Sequence, residues 1–404
     1  MAEVTFAESA LPKQADVVIV GAGLAGLFSA HYIERAGLGR VLVLERRDAV
    51  ASLTSAHSAE GFRLEWDAAE NIEMVRASVE VFDNFAEVVG VSGYQLDVRK
   101  NGYLFMSGGL LGPSYRNAGL RERVERWRGL GLTDVEYLSG DEVRKRFPFA
   151  GENVVEGHYR AGDGFVAADQ LARGLVLGGR FQVQLGTAAE AILTEGGRVT
   201  GVRVAGGGVV GAGAVVVAAG AFSRRLAAGA GPELGLESRR RHGITALVPA
   251  GIVDPSWPMV VDADLGLYWR PRPEGLFVGW EHALLWDETP VEALDPVPAD
   301  VAYLDQVRIH GRRLTRFWKD LRFDNLHWHA GQYVNVLPYD GRPVIGEHPQ
   351  VPGLWINTAY EGRGVMAGPG GAQLLARLMS DEKLENPFRV ELGDRGNRPD
   401  DMVL

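Results

Sequence analysis

Residues 16–48 read DVVIVGAGLAGLFSAHYIERAGLGRVLVLERRD. Asp16 to Val20 is a short apolar run bounded by glycine, the pattern of a buried parallel strand. Gly21-Ala22-Gly23-Leu24-Ala25-Gly26 follows with the spacing GxGxxG. Leu24, Leu27, Phe28 and Ile33 fall at helical intervals, and Gly37 and Gly39 can end that helix. Arg40 to Leu44 is a second strand, closing at Glu45. Each glycine has a reason: Gly21 permits a tight turn, Gly23 lets backbone approach a pyrophosphate, and Gly26 lets helix and strand pack closely. A diphosphate there meets free N–H groups and the positive end of a helix dipole. Glu45 lies about 20 residues past the last glycine, where a carboxylate takes ribose hydroxyls. The two flanking strands and the spaced acid make the motif specific.

The rest of the chain fits an enzyme-sized globular protein. Its 404 residues can bury a large core, with two domains the expectation. Apolar residues are 46% of the total, which argues against disorder. The 53 glycines suit a fold with many tight strand–helix turns. A net charge of −10 with no basic stripe argues against nucleic acid as a partner. There is no cysteine, which removes disulfides, thiolate metal sites and a redox dithiol. With no signal pattern and no run approaching the ~18 apolar residues of a membrane span, a cytoplasmic protein is expected.

In chain order, Ala49 to Gly61 is small, polar and loop-like, and contains His57. A helix is expected from Ile72, with Ile72, Val75, Val79, Phe82 and Val89 on one stripe. Tyr103 to Met106 suits a strand. Arg121 to Arg128 is charged nearly all round and reads as an exposed helix or lid. Ser139 and Glu142 form a capping box, with Pro148 stopping the helix. Asp169 is expected to cap a helix running through Gly178. Phe181 to Val204 reads as hairpin-like pieces. Ala214 to Ala219 is a fully apolar strand expected to return to the nucleotide sheet. Six of the nine tryptophans lie between residues 257 and 328, at 257, 269, 280, 286, 318 and 328. Strand-like runs Gly266 to Arg270 and Gly275 to Trp280 flank a Pro271–Glu274 turn, so this region reads as an antiparallel sheet rich in aromatics. Asp300 can cap a helix with the stripe Val301, Leu304, Val307, Leu314 and Phe317. A strand Leu354 to Asn357 then leads into a glycine-rich helix start at Glu361 to Met366, a second anion-favouring terminus.

Taken together these segments resemble the superfamily of D-amino-acid oxidase, glycine oxidase and sarcosine oxidase. The resemblance is carried by the N-terminal unit and by Gly162-Asp163-Gly164-Phe165 with Asp169 and Leu171. Further pieces are Val216-Val217-Ala218-Ala219-Gly220-Ala221 and Tyr268 to Gly275. The closing signature is Asp340 to Gly346 followed by Gly362-Arg363-Gly364-Val365-Met366 and Pro369. It implies an α/β fold (α+β overall): a Rossmann-like FAD-binding domain with an inserted antiparallel-sheet substrate domain. The expected division is 12–95, 150–238 and 338–385 for the first and 96–149 with 239–337 for the second. It implies FAD as cofactor, contacted by Gly21, Gly23, Leu24, Ala25, Gly26, Glu45, Arg46, Ser55, Ala56, His57, Ala189, Ala219, Gly220, Gly362, Arg363, Gly364, Val365 and Met366. It implies oxidation of a carbon–nitrogen bond in an amine or amino acid by hydride transfer to flavin N5, with oxygen or another acceptor taking the electrons. A secondary amine, N-methyl or cyclic, is favoured. The flavin carries the chemistry, and the protein positions the substrate and stabilises charge near flavin N1.

Arg363, Tyr333, Trp269 and Tyr360 are the candidate substrate-side residues, with Trp328 a further pocket aromatic. Many members of the family place a carboxylate-binding arginine just before the closing signature. Here that segment is Gly331-Gln332-Tyr333-Val334-Asn335, and Arg363 and Arg270 are the nearest substitutes. His57 stands where the family often has arginine. In dimethylglycine-dehydrogenase-like relatives a histidine there is linked covalently to the flavin. At His57 a hydrogen bond near the flavin, or packing alone, is the expected role. His327 and His329 should share one strand face, with no third metal ligand in view; no metal is expected. His242, His282 and His310 read as surface or satisfied core histidines. A disulfide-reductase type of flavoenzyme lacks its dithiol and second GxGxxG here, and the monoamine-oxidase branch lacks its Gly-Gly-Arg after Glu45. A flavin-bearing, non-catalytic or electron-transfer subunit of a larger complex, or a flavoenzyme using another donor, is the alternative. Substrate identity and oligomeric state are not legible.

Overall fold

The computed structural model describes residues 10–110, 119–231, 233–280, 291–323, 326–337 and 340–390. Trp286, His282 and the Pro338-Tyr339 pair lie outside the described residues.

The opening stretch folds as its pattern dictates. Val17–Val20 and Val41–Leu44 are strands joined by the helix Leu24–Arg35. They sit inside a six-stranded sheet ordered Val344–Glu347, Leu354–Thr358, Ala214–Val217, Val17–Val20, Val41–Leu44, Gln182–Gln184. Every pair is parallel except the edge pair of Val344–Glu347 with Leu354–Thr358. Successive side chains of the inner strands enter opposite cores. Val17, Ile19, Val41, Val43 and Val216 face a layer of helices. Val18, Val20, Leu42, Leu44, Val215 and Val217 face the other way, toward a three-stranded sheet of Ala189–Glu195, Arg198–Val204 and Val209–Gly211. Burial on both faces is why these strands are apolar throughout rather than alternating. The Ala214–Val217 strand returns to the nucleotide sheet as expected, and Gln182–Gln184 joins it too rather than forming a hairpin.

A second, eight-stranded sheet runs Leu326–Val336, Leu236–Leu247, Gly275–Trp280, Leu267–Arg272, Met259–Asp262, Tyr103–Ser107, Glu156–Arg160, Glu136–Ser139. It is antiparallel but for the parallel pair Met259–Asp262 with Tyr103–Ser107. Glu156–Arg160 therefore belongs with this sheet, although it lies within the 150–238 stretch expected on the cofactor side. Phe149, Trp257, Trp269 and Phe317 stack at its back, with centroid separations of 4.8 to 6.1 Å. Three short strands, Gly61–Phe62, Gly164–Val166 and Val98–Arg99, form a further sheet.

Several local expectations are corrected. The helix Leu120–Gly129 is not exposed all round: Arg123 and Trp127 are buried, and Arg123 pairs with buried Asp67. Ala167, not Asp169, is the N-cap of Ala168–Gly178, and the Ala168 N–H is taken by Glu60 Oε1 at 3.0 Å. The helix of residues 69–83 buries Val81 and leaves Val79 half-buried. Asp300 does cap Val301–His310, but Val301 is exposed, and Leu314 and Phe317 are buried beyond the helix end. The capping box of Ser139 and Glu142 forms. Among the described residues no helix is long and apolar enough to cross a membrane.

Two buried histidines set an acid limit on this fold. His31 is pushed down to about 4 by desolvation and by Arg35. His329 is pushed down to about 3 by desolvation, Arg272 and its histidine neighbours. Their folded forms refuse protons that the unfolded chain accepts below about pH 6.5. Their stabilisation is therefore full above that pH and is lost on acidification toward pH 4. The thermal midpoint should fall over that window, and fall less steeply in His329→Gln. Equal slopes for the two proteins would rule out His329 as a contributor.

Candidate functional site

The first turn shows why its glycines are needed. Gly21 has φ +106°, and a Cβ there would stand 2.6 Å from the Ala218 carbonyl oxygen. At Gly26 a Cβ would lie 1.9 Å from the carbonyl oxygen of Gly21. Gly23 is different: its nearest neighbour would be Ser55 Oγ at 3.7 Å, so the backbone there borders open space. Two glycines are fixed by packing and one faces a cavity, as a phosphate-cradling turn requires. Glu45 Oε2 accepts the Ala22 N–H at 2.8 Å and Oε1 accepts the Arg47 N–H at 2.9 Å. Ser55 Oγ accepts the Leu24 N–H at 3.3 Å.

The cavity these groups border has two limbs. One, of about 250 Å³, is lined by Gly21, Gly23, Leu24, Ala25, Glu45, Arg46, Ala189, Ala219, Gly220 and Tyr360, among others. The other, of about 140 Å³, is lined by His57, Glu60, Tyr103, Arg241, Met259, Val261, Tyr268, Phe277, Gly362, Val365 and Met366. Thr54, Ser55, Gln332, Tyr333, Glu361 and Gly364 line both limbs, so they meet there. The first limb follows the parallel sheet past the ends of its strands, where open α/β sheets bind ligands. The second lies against the eight-stranded sheet, and its walls include the apolar and aromatic residues Met259, Val261, Tyr268 and Phe277. Thr54 Oγ1 donates to the Gln332 carbonyl at 2.8 Å and ties the one-turn helix Thr54–His57 to the eight-stranded sheet at the junction.

The late helix Gly364–Met379 begins at this junction, after a one-turn helix Glu361–Arg363. Ala359 (φ 63°) and Glu361 (φ 55°) are non-glycine residues in the left-handed region. That strained turn directs the helix N-terminus at the cavity. Tyr360 anchors it by donating to Asn357 Oδ1 at 2.6 Å, and Asn357 donates to Ser29 on the first helix at 2.8 Å.

Six of the expected or candidate site residues line neither limb. Gly26 packs helix on strand. Ala56 lies in the one-turn helix Thr54–His57 but does not line either limb. Arg363 is buried and turns away: it bonds the Gly341 carbonyl and Glu361 Oε2, with its guanidinium 4.7 Å over the Trp66 ring. Trp269 is 1% exposed and donates to Thr315 Oγ1 at 3.3 Å inside the aromatic core. Trp328 packs near Tyr303 and is likewise not a lining residue. Arg270 is committed to the Ala59 and Pro271 carbonyls and to Glu60.

Sequence reading did not name Tyr268 and Phe277 as pocket residues, and both line the second limb. Tyr268 and Trp269 are neighbours on one strand, so one faces the cavity and the other the core. The alternation was visible, but nothing in the sequence says which phase faces the cavity. His57 reaches the second limb, with its Nδ1 buried and without a hydrogen-bond partner. Burial, then His327 and Arg47, push its proton affinity down, so it stands uncharged at neutral pH. His327 and His329 do share a face, with ring centroids 4.8 Å apart. Among the described residues no group of three His, Cys, Asp or Glu is arranged to hold a metal. His242 is a buried histidine, its Nε2 3.1 Å from the Pro298 carbonyl, and it also borders the second limb.

Comparison with known proteins agrees with this geometry. A family model described as FAD dependent oxidoreductase (DAO) matches residues 16–378. The FAD-dependent oxidoreductase domain-containing protein 1 of Xenopus laevis is 27% identical, covering 92% of this chain and 80% of its own. A glycine oxidase of Pseudomonas aeruginosa is 26% identical, covering 90% and 94%. Among solved structures, the L-proline dehydrogenase from P. horikoshii superposes with a TM-score of 0.80 at 20% identity, covering 96% of this chain and all of its own.

Proposed function

The chain belongs to the DAO family of FAD-dependent oxidoreductases, and from that premise we propose that it oxidises the carbon–nitrogen bond of a secondary amine, an N-methyl or cyclic amino acid being favoured. The observation that carries this reading is a dinucleotide cradle that shares the wall residues Thr54, Ser55, Gln332, Tyr333, Glu361 and Gly364 with a compact, aromatic-walled pocket. The residues present fit FAD. Gly23 and Gly220 offer backbone with no side chain in the way, and Glu45, Arg46, Ser55 and Ala219 border the same limb. When bound, FAD supplies the two-electron acceptor that the amino-acid side chains lack.

The chain's own groups then have separate tasks. Tyr103, Met259, Val261, Tyr268 and Phe277 exclude water around the reacting carbon and nitrogen. The N-terminus of Gly364–Met379 favours negative charge at the junction. His57 is held uncharged in the wall by desolvation, which removes one cation that would oppose an approaching amine. Under this reading residues of the six-stranded sheet hold the cofactor and the eight-stranded sheet shapes the substrate pocket.

The test is turnover. Purified protein is incubated with sarcosine, proline, pipecolate and primary amino acids, with oxygen or a dye as acceptor, and carbonyl product is measured. Product from a secondary amine supports the reading; product from primary amino acids alone would overturn the secondary-amine preference. Acid precipitation should release the yellow colour to the supernatant, as expected if His57 only borders the flavin. Colour kept in the pellet and lost in His57→Ala would instead show a covalent link.

A further inference from the structure

We infer that residues 291–296 form a clasp that retains FAD in the first limb, with the ion pairs of Asp295 as its releasable end. The inference rests on FAD as the cofactor and not on the amine-oxidising reading. Val291-Glu292-Ala293-Leu294-Asp295-Pro296 belongs to no helix or strand. It is nevertheless bonded to cavity walls that come from different sheets. Arg46 and Arg47 follow the strand Val41–Leu44 of the six-stranded sheet, and both line the first limb. Gln332 lies on Leu326–Val336 of the eight-stranded sheet and lines both limbs.

Each anchor is explicit. Gln332 Nε2 donates to the Glu292 carbonyl at 2.9 Å, and its Oε1 accepts the Leu294 N–H at 2.7 Å. The side-chain amide thus pairs with the segment's backbone at two points, as a neighbouring strand would. The Val291 N–H donates to the Ser238 carbonyl at 2.8 Å. One residue past Leu294, the Asp295 carboxylate takes a different guanidinium on each oxygen. Arg47 Nη1 donates to Oδ1 at 2.6 Å and Arg46 Nη2 donates to Oδ2. Adjacent residues Leu294 and Asp295 therefore join the Gln332 wall of the first limb to its Arg46–Arg47 wall. Departure of a dinucleotide between these walls requires that bridge to open.

The segment, rather than the arginines, is the part able to move. Arg46 is held from another side, its guanidinium carbon 3.9 Å from the centroid of the Phe222 ring. The Arg47 N–H donates to Glu45 Oε1 at 2.9 Å, and the Arg47 carbonyl accepts the Gly186 N–H at 2.8 Å. The clasp has no ladder of its own, and its ionic end is open to water: the Asp295 side chain is 19% exposed and both arginine side chains are 32% exposed. Charges this accessible are screened by salt and contribute modestly. The bridge can therefore release without unfolding either sheet.

The experiment reads FAD release from the loaded protein, by dilution into flavin-free buffer and the gain of free-flavin fluorescence. Asp295→Asn should release FAD roughly 3- to 10-fold faster than wild type, the scale of two partly exposed ion pairs. Release from wild type should quicken with added salt, and release from Asp295→Asn should respond less. In an Arg46→Gln, Arg47→Gln background Asp295→Asn should add nothing, because its partners are gone. A thermal midpoint close to wild type shows that faster release is not loss of fold. The chain has no cysteine, so a protein carrying Arg47→Cys and Asp295→Cys presents only the two thiols introduced. Loaded with FAD and bridged by a short bis-maleimide, it should release FAD many-fold more slowly than the same protein capped with N-ethylmaleimide. Release at the wild-type rate from Asp295→Asn, or equal release from the bridged and capped proteins, would overturn the clasp. Both readouts follow FAD itself, so they are independent of which amine reduces it.

Discussion

Gly26→Ala is expected to yield a protein that holds no flavin and unfolds well below the wild-type midpoint. The added methyl would lie 1.9 Å from the Gly21 carbonyl oxygen, and that atom belongs to a turn fixed by its own φ of +106°. A side chain can rotate away from such a contact; backbone on both sides cannot. The helix must lift from the strand, disturbing Leu27 and Phe28, which are wholly buried. Overpacking in a tight core costs about 1–3 kcal/mol, and a rigid backbone obstacle puts this case at the upper end or beyond. Gly23→Ala is the informative partner. Its methyl meets only Ser55 Oγ at an ordinary 3.7 Å, so the chain should fold with a near-normal midpoint. It should nevertheless lose most of its flavin, because the methyl occupies the space the pyrophosphate backbone approach needs. Flavin absorbance per mole of protein and a thermal melt separate the two effects. A Gly23→Ala protein with full flavin content would show that Gly23 does not face the diphosphate.

The second large effect is expected from Arg123. It is 1% exposed and paired with Asp67, itself buried, on a helix whose sequence reads as solvated. The pair borders a buried polar cluster, with Arg123 acting on His158. There Arg160 holds Asp163, burial and Glu65 push the Asp163 carboxyl up, and the His158 ring stacks 4.5 Å from Phe105. Removing one member of a buried pair leaves the other charge without its counterion at a cost of about 3–5 kcal/mol. Arg123→Met should therefore destabilise strongly. Because Asp67 adjoins Trp66, which packs beneath Arg363, flavin retention should weaken as well. Removing both charges in Arg123→Met with Asp67→Leu should restore most of the loss. A single variant as stable as wild type would show that the pair is dispensable.

Much of this was legible in the chain and part was not, for physical reasons that differ by residue. The nucleotide unit was readable because its glycines are demanded by backbone contacts within a short stretch. The return of Ala214–Val217 to the same sheet was readable because an all-apolar run placed shortly after a small β-meander suits a strand buried on both faces. Arg123 and Trp127 were not readable: a helix with one buried ion pair has the composition of an exposed one until the partner, Asp67, is known. Trp269 was named as a pocket aromatic and Tyr268 was not, whereas the strand's phase decides which of these neighbours enters the cavity. Arg363 was named because it lies near a position where glycine oxidase places an arginine, yet the chain passes through left-handed Glu361 and the Arg363 side chain is buried.

The most direct test of the account is an anaerobic absorbance spectrum of the purified protein, recorded before and after addition of N-methyl and cyclic amino acids. The account predicts an oxidised-flavin spectrum that bleaches on mixing with at least one of these amines and returns when an acceptor is admitted. Protein purified without flavin and unable to bind added FAD, or bound flavin that no amine bleaches, would contradict it.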